Sequence, residues 1–387
     1  MLPLAGIKVV EIAQNIAGPY AGEILAMLGA DVLKIERPQG GDDARGWGPP
    51  FVDGMATTFH TVNRNKRAVT LDLKDPGGIA WLKRHLADCD VLVQNMRPGS
   101  LEALELGADA LRAENPRLIY CSLWAFGHTG PMRLRGGYEP MIQAAAGMFS
   151  VNGQEGGPPT RVGMQVLDLG TGLWAALGTL AALIERGRTG RGCIVDTSLY
   201  ETALGWLSIH FAGFLATGEH PARHGSGNPR VVVFQSFVTA DGEVVIAAAN
   251  DRLFGKLAAA LGHPEWGEDE RFRTNALRVA NKAAIVPQIA RILLDDTTAA
   301  WVERLERAGI PCAPINDLHE VRADPHLAAL DLLRHLPGVG LSTVGLPVSF
   351  DRVRPPVHRR APHLGEHNTE FGLGPGRTDA GASAQGR

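Results

Sequence analysis

The sequence has 387 residues, more than one hydrophobic core usually holds, with 45% hydrophobic and 20% charged residues. Because 41 acidic residues balance 38 basic ones, no positive field exists to attract nucleic acid or anionic lipid, and we expect small-molecule partners. The four cysteines form no metal-binding or disulfide pattern, and the apolar runs are too short to span a membrane. The sequence therefore predicts two domains, no metal and a cytoplasmic location.

The first 125 residues alternate strand and helix patterns. Strands are predicted at residues 7–12, 31–35, 68–73, 91–94 and 118–123, with helices at 20–28, 77–86 and near 101–106. This alternation predicts an α/β domain with a parallel sheet, whose start resembles half a Rossmann fold. The first turn reads AQNIAGPYAG in place of GxGxxG, so a dinucleotide site is only weakly indicated.

Six basic side chains lie in loops that we place at strand ends. The carboxyl ends of parallel strands are where open sheets bind ligands, so an anionic ligand is one interpretation and a solvated surface is the other. These six residues are Arg37, Arg45, Arg64, Lys66, Arg67 and Lys74.

Asp168 stands just before a predicted apolar helix at residues 173–184, which is followed by a predicted strand at 193–198. The positive end of the helix dipole is expected to keep this carboxylate ionised at neutral pH. The nearby Gly170 and Gly172 are expected to let a ligand approach the backbone closely. A simple helix cap is the alternative interpretation of Asp168.

The pattern changes after residue 204. A helix is predicted at 204–215, a hairpin around Asp241 and Gly242, and helices at 251–261, 282–294 and 298–308. We expect a large domain over residues 1–200, completed by 345–373. A linker at 201–220 should lead to a small α+β domain at 221–330, and residues 374–387 should form a disordered tail.

Several segments together, in order and spacing, resemble the class III CoA-transferases, a family that includes formyl-CoA transferase and carnitine CoA-transferase. The segments include GIKVVEIAQNIAGPYAGEILAMLGADVLKIERP, NRNKRAVTLDLKDPGG, QNMRPG, RGGYEPMIQAAAG, RVGMQVLDLGTG and LGEHN. The resemblance implies a Rossmann-like large domain, a smaller α+β domain and an interlocked homodimer in which each chain threads a ring formed by the other. Linkers around 190–225 and 328–350 would permit that arrangement.

The resemblance also implies a set of site residues. Asp168 corresponds to the family's nucleophile, and the loop Gly225, Ser226 and Gly227 corresponds to a mobile lid over the substrate. Coenzyme A, as the acyl-CoA substrate, is expected at Ile16, Ala17, Arg37, Leu71, Asp72, Leu73, Lys74, Asn95, Met96, Arg97, Arg135, Gly136, Gly137, Tyr138 and Glu139.

Two positions depart from the family pattern. Ile16 replaces a glutamine that contacts the acyl group in formyl-CoA transferase, which argues against formyl transfer. Ala103 replaces a CoA-binding arginine, so one phosphate contact is in doubt.

The expected activity is transfer of CoA from an acyl-CoA donor to a free carboxylic acid, through an aspartyl anhydride and an aspartyl-CoA thioester. The first alternative is an α-methylacyl-CoA racemase, which pairs its aspartate with a histidine. Tyr138 stands at that histidine position, and a tyrosine ordinarily releases its proton only near pH 10. The second alternative is a non-catalytic CoA-binding protein.

Overall fold

The computed structural model describes residues 2–374, so the predicted tail lies, except for Gly374, outside the described residues. The described chain forms two compact units. Residues 2–148, 161–219 and 328–374 form the first unit, and residues 149–160 and 220–327 form the second.

A six-stranded parallel sheet is the centre of the first unit, which confirms the predicted α/β class. Its strands are rich in Val, Ile and Leu and are largely buried, as expected when helices cover both faces of a parallel sheet. Numbered along the chain, the strands lie in the order 3-2-1-4-5-6, the order of Rossmann-type folds. Across the sheet they are Arg67–Thr70, Asp31–Glu36, Lys8–Ile12, Val91–Gln94, Ile119–Trp124 and Ile194–Ser198.

The remaining elements of the first unit are helices and short hairpins. The helices are Ala17–Met27, Thr57–Val62, Pro76–Ala87, Ala108–Glu114, Glu139–Ala145, Val166–Thr189, Leu199–Trp206 and Ser208–Thr217, with 3₁₀ turns at Asp43–Gly46 and Glu102–Leu104. The hairpin strands are Phe51–Val52 with Met55–Ala56, and Leu333–His335 with Ser342–Val344. Short helices at Met148–Val151 and Pro325–Ala329 lie where the chain passes between units.

Two predicted helices differ in the structure. The helix expected at 204–215 is two helices, Leu199–Trp206 and Ser208–Thr217, which separate at Leu207. The helix expected near 101–106 is only the 3₁₀ turn Glu102–Leu104, because Glu105 adopts a left-handed conformation with φ of 55° and ends it.

The helix Val166–Thr189, hereafter the Asp168 helix, is longer than the helix predicted at 173–184, and the expectation that no apolar run is long enough to cross a membrane was wrong for it by length and composition. It packs against the helix Ala17–Met27, hereafter the N-terminal helix, and against the strands Ile119–Trp124 and Ile194–Ser198. Its buried face is made mostly of small residues, including Ala175, Ala176 and Thr179. The packing makes it a core helix of the first unit.

Neither interpretation, a ligand site or a solvated surface, fits three of the six loop cations, because Arg64 and Lys66 are buried and Arg45 is mostly buried, each in an ion pair. Lys66 Nζ lies 2.7 Å from Glu11 Oε2 and also donates to the carbonyl oxygens of Pro19 and Val62. Arg64 pairs with Glu23, and Arg45 Nη2 lies 2.7 Å from Glu36 Oε1. Buried charges need such partners because an isolated ion loses its hydration. Lys66 and Arg45 therefore anchor loops to the sheet, and Arg64 anchors its loop to the N-terminal helix.

Arg67 is also misplaced by the sequence interpretation. It is the first residue of its strand and therefore lies at the amino-terminal edge of the sheet, where it pairs with Asp31 and Glu370. Among the six cations, Arg37 and Lys74 follow the carboxyl ends of their strands and are exposed.

The second unit is an antiparallel three-stranded sheet covered by helices. The predicted hairpin is present as Phe234–Val238 and Glu243–Ala247, and Cys312–Pro314 adds a third strand that the sequence did not indicate. Its helices are Asp251–Ala260, Asn275–Ala280, Lys282–Leu293, Thr298–Arg307 and Leu318–Ala323, with a 3₁₀ turn at Pro264–Gly267. Their apolar faces enclose one core around Phe254, Phe272 and Trp301.

Candidate active site

Two cavities open at the carboxyl-terminal edge of the parallel sheet. The first, of about 380 Å³, contains Asp168 and is called the Asp168 cavity. The second, of about 580 Å³, contains Arg37 and is called the Arg37 cavity. Met96 lines both. The chain order of the strands reverses between Lys8–Ile12 and Val91–Gln94, and such a switch point is where open α/β sheets bind ligands.

Most of the expected site residues line one of the two cavities. Asp168 lies in the first cavity with Ala17, Asn95, Met96, Arg97, Arg135, Gly136, Gly137, Tyr138 and Glu139. The second cavity holds Arg37, Leu71, Asp72, Leu73 and Lys74. Ile16 lines neither; it is buried just before the N-terminal helix.

Asp168 is the third residue of its helix, not a residue before it, and Gln165 occupies the capping position. Burial, reinforced by the negative charge of Glu139 and opposed by Arg161, raises the pKa of Asp168 from 3.8 to about 7. The expectation of a fully ionised carboxylate at neutral pH was therefore wrong, because desolvation outweighs the helix dipole. A carboxylate this basic is a stronger nucleophile than an exposed one.

The carboxylate of Glu139 is engaged by two partners within the protein. Its side chain is buried, Gln143 Nε2 donates to its Oε1, and Arg161 Nη2 lies 3.2 Å from its Oε2. Gln143 is fully buried and its Oε1 accepts a hydrogen bond from Val162 N at 3.0 Å. The glutamine thus ties the helix Glu139–Ala145 to the segment that leads into the Asp168 helix.

Gly170 and Gly172 serve helix packing, so the prediction that they admit a ligand was wrong. A Cβ on Gly172 would lie 2.6 Å from the carbonyl oxygen of Ala17, and a Cβ on Gly170 would lie 2.9 Å from the ring of Trp206. The missing side chain of Gly172 lets the two helices approach closely, one turn after Asp168. This approach brings Asp168 and Ala17 to one cavity.

Ala17 is the first residue of the N-terminal helix. The first N–H groups of a helix have no intrahelical acceptor and point toward the positive end of its dipole. The Ala17 amide is therefore suited to stabilise negative charge in the Asp168 cavity.

The Arg37 cavity carries two exposed cations at strand ends. Arg37 forms an ion pair with Asp43 and donates from Nε to the carbonyl oxygen of Gln39 at 3.0 Å. The Lys74 backbone N–H donates to Asp72 Oδ1 at 2.9 Å, which fixes the turn and leaves the ammonium group in solvent. An anionic ligand has both charges available, although at Arg37 it competes with Asp43.

Asn95, which lines the Asp168 cavity, also has a structural role. The side-chain amide of Asn95 both donates to the carbonyl oxygen of Gln14 at 2.8 Å and accepts from its N–H at 2.9 Å. Asn95 is thus a clamp between the loops that follow two adjacent strands. Arg97 is exposed and lines the Asp168 cavity.

The turn before the helix Glu139–Ala145 contributes cations and an aromatic ring. The guanidinium of Arg135 lies 5.6 Å from the centroid of the Phe126 ring. Tyr138 is 63% exposed and takes the capping position of the helix. Gly137 packs against Ile142, since a Cβ there would lie 2.8 Å from Ile142 Cδ1 and would require the Ile142 side chain to shift.

The expected lid residues belong to the second unit. Gly225 adopts a left-handed conformation with φ of +59°, and its N–H donates to the carbonyl oxygen of Gly153 at 2.9 Å. Ser226 Oγ lies 2.7 Å from Ser236 Oγ on the strand Phe234–Val238. The loop is therefore a hydrogen-bonded turn. Its role as a lid stays a prediction.

Sequence reasoning missed several residues of the Asp168 cavity and its surroundings, among them Trp47, Arg133 and Arg161. Trp47 and Arg133 line the cavity, and Arg161 pairs with Glu139. Arg161 opens the segment RVGMQVLDLG, so its closeness to the nucleophile along the chain was a usable signal. Trp47 lies in a loop rich in Gly and Pro, whose path the sequence does not specify. Within residues 2–374, no group of three or more His, Cys, Asp or Glu side chains is arranged to hold a metal ion.

Comparison with known proteins gives consistent matches. The chain is 36% identical over 372 residues to the succinyl-CoA:glutarate CoA-transferase of Homo sapiens, covering 95% of this chain and 85% of that protein. It is 36% identical over 382 residues to the succinate-glutarate CoA-transferase of Agrobacterium fabrum, covering 95% and 94% respectively. The crystal structure of a CAIB/BAIF family protein from Brucella suis superimposes with a TM-score of 0.86 at 38% identity, covering 96% and 98%.

These relatives do not favour the racemase alternative, since the proteins of Homo sapiens and Agrobacterium fabrum are both named as CoA-transferases. The model of CoA-transferase family III matches residues 4–368, nearly the whole chain. The parallel sheet, the carboxylate at its switch point and this match agree: the chain belongs to CoA-transferase family III and is a CoA-transferase.

Proposed function

We propose that the chain moves CoA from an acyl-CoA donor to a free carboxylic acid, with the Asp168 carboxylate as the nucleophile. One observation carries the proposal. Of the two carboxylates that line the Asp168 cavity, Glu139 is engaged by Gln143 and Arg161, whereas Asp168 is half-buried and unusually basic. Asp168 is the carboxylate that an acyl group can reach.

The two cavities suit the two ends of an acyl-CoA. The phosphates of CoA would lie against Arg37 and Lys74, since cations at strand ends bind phosphate through charge-assisted hydrogen bonds. The neutral pantetheine arm would then pass Met96, which borders both cavities, and bring the thioester to Asp168.

The reaction exchanges one thioester for another without consuming a proton. A carboxylate oxygen of Asp168 attacks the thioester carbon, the C–S bond of the resulting adduct breaks, and CoA leaves as thiolate, which gives a mixed anhydride of Asp168 and the donor acid. The thiolate then attacks the Asp168 carbonyl, which forms an aspartyl-CoA thioester and releases the donor acid as carboxylate. An acceptor carboxylate repeats the two steps in reverse. The Ala17 N–H would stabilise the oxyanion that forms at each attack.

We further propose succinyl-CoA as the donor and a dicarboxylic acid as the acceptor. The two curated relatives described above carry succinyl or succinate and glutarate in their names. Arg97, Arg133 and Arg135 add positive charge to the Asp168 cavity, and within residues 2–374 they have no carboxylate partner at ion-pair distance. A second carboxylate on either acid would bind such cations.

The nucleophile can be tested by Asp168→Asn, which keeps the size of the side chain and removes the attacking anion. Exchange between succinyl-CoA and labelled glutarate should fall by roughly three orders of magnitude or more. Asp109→Asn, also in the first turn of a helix but lining neither cavity, should retain full activity.

Trapping of the intermediate gives a second measurement. Wild-type protein incubated with succinyl-CoA and then hydroxylamine should carry a hydroxamate on Asp168, detected by peptide mass analysis. Near-normal exchange by Asp168→Asn, or an adduct on a different carboxylate, would contradict the proposal.

A further inference from the structure

Glu139 was expected to bind CoA, yet the structure gives its carboxylate a different setting. It is buried beside Asp168, with one oxygen bound by Gln143. Within the described residues its other oxygen, Oε2, accepts no hydrogen bond, and the partner cation Arg161 lies 3.2 Å from it. Arg161 is thus the cation paired with Glu139 within residues 2–374, and the negative charge of Glu139 lies in the same cavity as Asp168.

A carboxylate nucleophile has an intrinsic weakness toward thioesters. The intermediate formed by its attack expels the weaker base, and ordinary carboxylates, with pKa values near 4, leave far more readily than a thiolate with a pKa near 8.5. Most attacks would therefore reverse. Raising the basicity of the attacking carboxylate reduces the difference in pKa between the two leaving groups, so a larger share of the attacks expels the thiolate.

We propose that Glu139 and Arg161 are opposed positioning residues that set the basicity of Asp168, Glu139 raising it and Arg161 limiting the increase. The inference rests on the proposed role of Asp168 as nucleophile. The mechanism is electrostatic: Glu139 repels the Asp168 carboxylate, and the repulsion disappears when Asp168 becomes an uncharged anhydride or thioester. Glu139 therefore destabilises the free nucleophile relative to its acylated forms.

The other carboxylates on the helices that pack against the Asp168 helix have partners of their own. Glu201, on the helix that packs against the Asp168 helix, accepts from the hydroxyl of Ser198, and Glu23 of the N-terminal helix pairs with Arg64. The remaining ionisable side chains that line the cavity are Arg97, Arg133, Arg135 and Tyr138. Burial and the charge of Glu139 raise the Asp168 pKa to about 7, and Arg161 lowers it.

The test is the pH dependence of kcat/KM for succinyl-CoA, whose acidic limb reports ionisation of the free enzyme. In the wild type the rate should rise with pH through about 7, as Asp168 loses its proton. Glu139→Gln should move this limb to lower pH by about one unit, because the repulsion is gone. Arg161→Gln should move it to higher pH by about one unit, and Arg161→Lys should restore it.

Shifts of the acidic limb in opposite directions in Glu139→Gln and Arg161→Gln distinguish this role from a purely structural one, which would lower the rate without moving the limb. Glu114→Gln, at the end of the helix Ala108–Glu114 and outside both cavities, should leave the profile unchanged. If Glu139→Gln does not fold, Arg161→Gln serves as the test. The Arg161 side chain is 38% exposed, so its replacement should leave the fold intact, and the direction in which the acidic limb shifts then decides. An acidic limb that stays fixed in folded variants overturns the inference. Retained exchange by Asp168→Asn instead overturns the proposed function.

Discussion

At the scale of single residues, the charge on Asp168 has a cost in stability that follows from its environment. Burial and the neighbouring Glu139 hold its pKa near 7 in the folded chain, while an unfolded aspartate ionises near 3.9. A carboxyl whose pKa is raised by folding contributes its full stability below its unfolded pKa, and the contribution is lost progressively as the pH rises to and through the folded value. Asp168 therefore contributes least to the free energy of unfolding at the pH values where it is ionised and can act as a nucleophile.

Asp168→Asn should therefore stabilise the protein as it inactivates it. The free energy of unfolding of the variant should exceed that of the wild type by about 2 kcal/mol or more at pH 8, with a much smaller gain at pH 5. Urea denaturation at a series of pH values measures this. Asp109→Asn, an exposed carboxyl, should show no such growth with pH. A difference that does not depend on pH would contradict the burial argument.

Sequence reasoning placed correctly those residues whose position follows from the elements next to them along the chain. Arg37 follows its strand directly and Lys74 comes four residues after the strand Arg67–Thr70, so their position at the carboxyl edge of the sheet was predictable. Arg64 and Lys66 also occur in a basic loop, but their partners Glu23 and Glu11 are separated from them by 41 and 55 residues along the chain. Only the folded structure reveals such pairs.

At the scale of elements, the Asp168 helix is positioned by the absence of one side chain. Gly172→Ala would place a methyl group 2.6 Å from the Ala17 carbonyl oxygen, and neither backbone can yield easily. We expect a loss of about 1–3 kcal/mol in the free energy of unfolding and a lower transfer rate, because Asp168 lies one turn away. Gly187→Ala in the same helix meets open space and should stabilise by roughly 0.5–1 kcal/mol. Equal stabilities of both variants in urea denaturation would rule out this packing role.

The same helix shows why element boundaries were partly missed. Gly170 and Gly172 have low helix propensity, so the sequence indicated a helix beginning after them, yet the helix begins at Val166. Tertiary packing against the N-terminal helix overrides the local preference. The strand Cys312–Pro314 was missed for a related reason, since three residues ending in proline carry no alternating pattern, and pairing with Glu243–Ala247 creates the strand.

At the scale of the whole molecule, the first unit has apolar side chains on the outer faces of three helices. Trp174 and Trp206 lie with their ring centroids 5.6 Å apart, which joins the Asp168 helix to the next one. The exposed apolar residues of these helices are Leu173, Trp174, Leu177, Ile184, Trp206, Ile209, Phe211, Phe214 and Leu215. Single exposed apolar side chains are ordinary, whereas a group of this size is typical of an interaction surface.

We propose that a second copy of the chain covers this surface, as the interlocked homodimer of the family would. Sedimentation at micromolar concentration should then give 82.6 kDa, twice the chain mass of 41.3 kDa. Leu177→Glu should shift the protein toward monomer, because a carboxylate would be buried without a partner, and should lower activity if the second copy completes the site. Arg188→Glu, on the same helix, changes charge without removing an apolar group and should leave the dimer intact. A stable wild-type species of 41.3 kDa would show that the apolar helix faces have some other partner.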